Sequence, residues 1–119
     1  NSSEVKNSIL FNRAQIPHFN YVGDSILGFK AHLGAGVILS NLKSDGTTIK
    51  VKSDSGFIET GLRKFGALVG NYVEIGSNSV LNPCTIIGKE SIIYPLTSIR
   101  GYVTERHIVK SNGEIVQRR

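Results

Sequence analysis

Large aliphatic residues recur every six positions at Val69, Ile75, Leu81, Ile87, Ile93 and Ile99, and a small or β-branched residue follows each of them four positions later, at Val73, Ser79, Thr85, Ser91, Thr97 and Val103. A fixed period of this kind means one structural unit stacked on copies of itself. Three such hexapeptides make one roughly triangular coil of short strands joined by turns. The aliphatic residue points into the lumen, and the small one fits beside the corner. Stacked coils predict an all-β fold, a parallel β-helix.

Upstream the ladder runs through Leu10, Ile16 and Val22, slips by one residue to Leu27 and resumes at Leu33, with small partners at Ala14, Ala31 and Val37. Glycine follows the aliphatic at Gly23, Gly28, Gly34, Gly70, Gly76 and Gly88. Either a positive φ or a crowded backbone would exclude a Cβ there. Regularity is strongest in two blocks, 22–38 and 69–103. With 119 residues and about 18 per coil, the chain suits one domain of about five to six coils. Each buried aliphatic contributes roughly 1.5 to 3 kcal/mol, so the lumen is the main stabilising element.

Residues 42–68 abandon the period. Thr47 to Lys52 alternates polar and apolar residues, Ser53-Asp54-Ser55-Gly56 is turn chemistry, and Phe57 to Thr60 reads as a returning strand. This segment is a hairpin loop ejected from the coil, and insertions in repeat proteins frequently mark the binding face. After Val103 the repeat stops. Residues 104–119 read as a C-terminal hairpin turning at Asn112-Gly113, placed to cap the open end of the helix 1–103 and protect its edge strands.

The net charge of +5 attracts anions, either nucleic acid or small phosphorylated ligands. No nucleic-acid motif is present, and the aromatics do not alternate with basic residues, so no nucleic-acid partner is expected. No apolar run is long enough to cross a bilayer, and no membrane partner is expected. The single cysteine, Cys84, forms no internal disulfide and suits a reducing, cytoplasmic setting. A start at Asn-Ser-Ser without methionine suggests an excised domain or processed fragment.

One polar cluster interrupts the repeat, in Ile16-Pro17-His18-Phe19-Asn20-Tyr21-Val22-Gly23-Asp24. His18 is its centre. Imidazoles as a class titrate near about pH 6.5, so His18 is either a structural residue or a base able to take a proton from an amine or hydroxyl. Leu33-Gly34-Ala35-Gly36 lies about one coil further on and is followed by Asn41. It lacks the context of a phosphate-binding loop that opens a helix.

Three stretches carry a family resemblance: "IPHFNYVGDSILGFKAHLGAGVILSNL", "KVKSDSGFIETGLRKFGALVG" and "VEIGSNSVLNPCTIIGKESIIYPLTSI". Together they resemble the C-terminal domain of bifunctional sugar-1-phosphate nucleotidylyltransferase/acetyltransferases, most of all the archaeal type. The signature His-x-x-Tyr-[Val/Leu]-Gly-Asp is the most specific part. The resemblance implies a left-handed parallel β-helix that forms a homotrimer. It implies transfer of an acetyl group from acetyl-CoA to the amine of an amino-sugar 1-phosphate, at clefts between subunits and without a metal.

Position by position, the resemblance makes His18 the general base and Asn41 a polar catalytic residue near the reacting groups. Lys6 and Tyr21 become residues that hold the sugar phosphate, and Lys50 a loop lysine that reaches the substrate from a neighbouring coil or subunit. Ala35, Ser77 and Pro95 fall where the family lines its acetyl-CoA channel. Departures also stand out. His32 replaces an asparagine that contacts substrate in the bacterial enzymes, Leu42 replaces a tyrosine there, and Cys84 occupies a turn that commonly holds glycine. The alternative reading is non-catalytic: a trimerising or regulatory β-helix attached to a nucleotidylyltransferase.

Overall fold

The computed structural model describes residues 2–119 and contains strands, turns and bends with no helix. Three sheets form the walls of a parallel β-solenoid. The first sheet stacks Glu4–Lys6, Tyr21–Gly23, Ile38–Leu39, Val80–Leu81 and Ser98–Ile99. The second stacks Ile9–Leu10, Ile26–Leu27, Leu68–Val69, Ile86–Ile87 and Tyr102–Val103. The third stacks His32–Leu33, Glu74–Ile75, Ile92–Ile93 and His107–Val109, and ends on the antiparallel strand Ile115–Gln117.

In-register pairing puts the ladder residues directly above one another, as in Val22–Leu39–Leu81–Ile99 and Leu27–Val69–Ile87–Val103. The lumen is therefore continuous. Leu27, Leu33, Leu39, Ile75, Leu81, Ile87 and Ile93 are fully buried, and so are the small partners Ala31, Val37, Val73, Ser79, Thr85 and Ser91. The polar partners bond to carbonyls rather than remain orphaned: Ser79 Oγ donates to Tyr94 O, and Thr85 Oγ1 to Asn82 O.

Two features differ from the sequence expectation. Val103 is a lumen residue stacked on Ile87 rather than a corner partner of Ile99, because the chain between them is shortened. The repeat also runs on past 103. His107–Val109 pairs in parallel with Ile92–Ile93, so Val109 supplies a further buried rung before the hairpin turns back.

Coil length varies at one corner only. From the second sheet to the third, and from the third to the first, successive ladder residues are always six apart. From the first sheet to the second the step is five residues at Val5–Leu10 and Val22–Leu27, 30 at Leu39–Val69, six at Leu81–Ile87 and four at Ile99–Val103. The ejected segment leaves from this corner. Within it Lys50–Ser53 pairs with Gly56–Glu59 as an antiparallel hairpin, Leu42 bridges Lys64, and Ile49 is buried.

The glycines after the ladder residues answer to crowding, not to φ. None of the six has a positive φ, but a Cβ on Gly76 would stand 2.4 Å from the Pro95 nitrogen, and one on Gly88 2.4 Å from that of Glu105. Positive φ falls instead on corner residues with side chains, among them Lys30, Tyr72, Asn78, Cys84, Glu90 and Leu96. Each donates its backbone N–H to a carbonyl of the adjoining coil, as Asn78 does to Ala35 and Leu96 to Ser77. Stacking thereby offsets the roughly 1–2 kcal/mol that a left-handed residue costs. Cys84 is one of these corner residues, and burial pushes its thiol pKa up.

Two substitutions test this account. Ile87→Asp places a carboxylate in a closed apolar lumen and is expected to abolish the cooperative thermal transition. Gly76→Ala, pressed on the backbone of Pro95, is expected to cost about 1–3 kcal/mol in a denaturant titration, whereas Gly46→Ala, in open space, should be limited to the cost of its positive φ.

Candidate active site

Between Gln15, which bridges His32, and the strand Tyr21–Gly23, the chain rounds the corner from the third sheet to the first. Asn20 anchors this turn. Its buried side chain donates through Nδ2 to Gly34 O at 2.9 Å and Val37 O at 3.2 Å, and its Oδ1 accepts the His18 N–H at 3.1 Å. The His18 carbonyl accepts the Gly36 N–H at 3.0 Å. The backbone of His18 is thus held from two sides while its side chain is exposed. An imidazole carried on an anchored backbone and open to solvent is suited to proton exchange with a bound molecule.

Ala35, Ser77 and Pro95 occupy the positions below His18 on successive coils. The lumen registers that stack Leu33, Ile75 and Ile93 place them there, each two residues further along the chain. The corner is close-packed. Gly34 and Gly76 precede Ala35 and Ser77 with no room for a Cβ against the Ser77 and Pro95 nitrogens. One straight edge of the solenoid therefore carries His18, Ala35, Ser77 and Pro95.

A second group lies across the first sheet, at its opposite edge. Asn41 Nδ2 donates to Tyr21 Oη at 3.1 Å and to Asp24 Oδ2 at 2.6 Å, and Asn7 Nδ2 donates to Asp24 Oδ1. Lys6 stands beside Gly23 in register, and its carbonyl accepts the Asp24 N–H at 3.0 Å. Gly23 makes the network possible, since a Cβ there would fall 2.5 Å from both Asn41 Nδ2 and Tyr21 Oη. The hydrogen bond from Asn7, together with those from Asn41 and the charges of Lys64 and Lys6, outweighs desolvation and holds the Asp24 carboxyl below its ordinary pKa.

Of the residues singled out in the sequence, the fold gathers Lys6, Tyr21 and Asn41 at one end of the first sheet and aligns His18, Ala35, Ser77 and Pro95 at the other. It leaves two apart. His32 lies on the third sheet, where Nδ1 donates to Glu74 Oε2 at 3.0 Å in a hollow shared with Arg13, Gln15, Lys30 and Tyr72. Lys50 is on the ejected hairpin, over later coils at the corner between the first and second sheets. Asn7, and the role of Asp24 at the end of the signature, are what the sequence reading missed. Their signal was a spacing: 7, 24 and 41 are 17 residues apart, the length of the early coils.

No family profile matches the chain. Among curated proteins it is 39% identical over 94 residues to a bifunctional sugar-1-phosphate nucleotidylyltransferase/acetyltransferase from Sulfurisphaera tokodaii, an alignment covering 79% of this chain and 23% of that protein. It is 34% identical over 119 residues to the bifunctional protein GlmU of Methanocaldococcus jannaschii, covering all of this chain and 29% of that one. The chain thus spans less than a third of the length of these relatives. Among solved structures, a point mutant of AntD, an N-acyltransferase from Bacillus cereus, superposes with a TM-score of 0.62 at 12% identity over 99% of this chain and 78% of that one. The polysialic acid-specific acetyltransferase NeuO gives 0.58 at 17% identity over 93% and 61%. At such low identity these two establish the solenoid fold alone. The sequence relatives go further, and with the hexapeptide solenoid they show that the chain belongs with the acetyltransferase domains of bifunctional sugar-1-phosphate nucleotidylyltransferase/acetyltransferases.

Proposed function

We propose that this chain transfers an acetyl group from acetyl-CoA to the amine of an amino-sugar 1-phosphate, glucosamine 1-phosphate or galactosamine 1-phosphate. The observation that carries the reading is the hydrogen-bonded row Asn7–Asp24–Asn41–Tyr21 beside Lys6, on the sheet that begins at the His18 corner. The names of the sequence relatives support the acceptor class. AntD, a structural neighbour, is an N-acyltransferase crystallised with coenzyme A, which supports an acyl-CoA donor.

In this reading the free amine of the sugar attacks the thioester carbonyl. The new C–N bond forms as the C–S bond breaks, His18 accepts the proton released by the amine, and the departing thiolate is protonated to CoA. Lys6 and Tyr21 hold the phosphate, and Asn41, whose two amide N–H groups are engaged by Tyr21 and Asp24, is the polar residue that orients the Tyr21 hydroxyl beside the reacting groups. Asp24 fixes the Asn41 side chain and is a positioning residue. The edge formed by Ala35, Ser77 and Pro95 is the wall along which the donor lies. Because Lys50 and His32 stand away from these groups in one chain, a homotrimer would bring them to the site from neighbouring copies.

Incubating the chain with acetyl-CoA and either sugar phosphate should release free CoA, and His18→Ala should lower that release by at least about a hundredfold. Wild type and His18→Ala equally inert with both sugars would sink the enzyme reading and leave the trimerising scaffold. A second outcome concerns acid. Since the fold lowers the Asp24 pKa, this carboxylate contributes stability above the ordinary carboxylate range and loses it as pH falls through its folded value. Melting temperatures measured from pH 7 downward should therefore fall less steeply for Asp24→Asn than for wild type, the two curves converging in strong acid.

A further inference from the structure

The corner at which coil length varies also holds a strongly cationic hollow. Between Leu81 and Ile87 it takes six steps, and on the next coil, between Ile99 and Val103, only four. The shortened turn Arg100-Gly101 opens a recess that the ejected hairpin overhangs. Lys52 packs its stem across Gly101, whose added Cβ would lie 3.7 Å from Lys52 Cδ. The recess has a volume of about 550 Å³ and is lined by Lys43, Lys50, Lys52 and Arg100 around an apolar floor that includes Ile49, Phe57 and Pro83.

Its charge is unbalanced. Among the described residues none of the four cations has a carboxylate within 4.0 Å, and no acidic side chain lines the recess. Glu59 faces Lys50 across the hairpin, and its carboxyl is held low chiefly by the Gly61 N–H, with Thr48 and the charges of Lys50 and Lys43 adding to it. Acyl transfer as proposed above uses Lys50 alone of these cations. Lys43, Lys52 and Arg100 have no role in it.

We propose that this recess binds a nucleoside diphosphate group. Phe57 is a largely exposed ring beside Pro83, a flat apolar surface on which a base can stack. Four cations at the rim, one of them a guanidinium able to grip two oxygens at once, match the two phosphates of a diphosphate rather than a single one. The group is common to nucleotide sugars and to the nucleotide end of coenzyme A. The inference shares Lys50 with the acyl-transfer reading and otherwise rests on other residues, because the recess lies on another corner from His18.

Calorimetric titration of the whole chain with ADP and with UDP tests it, adenosine and inorganic phosphate serving as partial ligands. Saturable binding of the diphosphates is expected, with each partial ligand at least tenfold weaker. The double variant Lys52→Glu/Arg100→Glu should weaken binding at least tenfold, while Arg119→Glu changes it less than twofold. Displacement of ADP by coenzyme A but not by a UDP-sugar would identify the donor as the source; the reverse would identify a nucleotide sugar. Either pattern supports the site. No saturation by ADP or UDP, equal losses in the double variant and Arg119→Glu, or retention only of single-stranded oligonucleotides would overturn it. Loss of acyl transfer with ADP binding intact would sink the catalytic reading alone.

Discussion

Close stacking of successive coils through inter-coil backbone hydrogen bonds is the constraint from which the rest of this structure follows. Strands one above another lie about 4.8 Å apart, which leaves no space between coils for a side chain where the backbone bends. Gly70, Gly76 and Gly88 stand where that spacing brings the next backbone within contact. The same hydrogen bonds hold Tyr72, Asn78, Glu90 and Leu96 in a left-handed conformation that their side chains would otherwise disfavour. Uniform stacking also requires every ladder residue to have nearly the same size, since a larger or charged side chain in one rung meets the rungs on both sides.

Against that uniformity the single irregular corner stands out. Two of the three corners keep a strict six-residue step. The corner from the first sheet to the second takes five, 30, six or four residues, and it is here that the Asn7–Asp24–Asn41 row, the ejected hairpin and the cationic recess are found. Variation concentrates where the chain can leave the coil without breaking the lumen. The opposite edge of the first sheet is regular, and there His18, Ala35, Ser77 and Pro95 line up because in-register stacking of the third sheet absorbs both the five-residue step at Val22–Leu27 and the excursion at 42–68.

Some of this was readable from residues alone. The ladder from Val69 to Ile99 fixed the burial of each rung, and the turn chemistry at Ser53 to Gly56 located the hairpin that forms. The polar cluster at 16–24 marked the His18 turn, although the buried Asn20 that holds it gave no sign of its role. Val103 misled, for a valine suits a lumen rung and a corner equally well, and only the pairing with Ile87 distinguishes them. Asn7 and the role of Asp24 escaped because a hydrogen bond between residues 17 apart is invisible until the coil length at that level is known.

The architecture is thus written in the chain: a six-residue period of aliphatic residues admits few solutions other than stacked coils, since every rung must find the same apolar lumen. Which residues meet is settled by folding. Tyr21 reaches Asn41, and Asp24 lies between Asn7 and Asn41, only because the early coils close in 17 residues; His32 and Lys50 stand on other faces because a triangular coil points each of its sides in a different direction. Periodicity is a property of the chain, whereas the phase between coils depends on how each corner is packed.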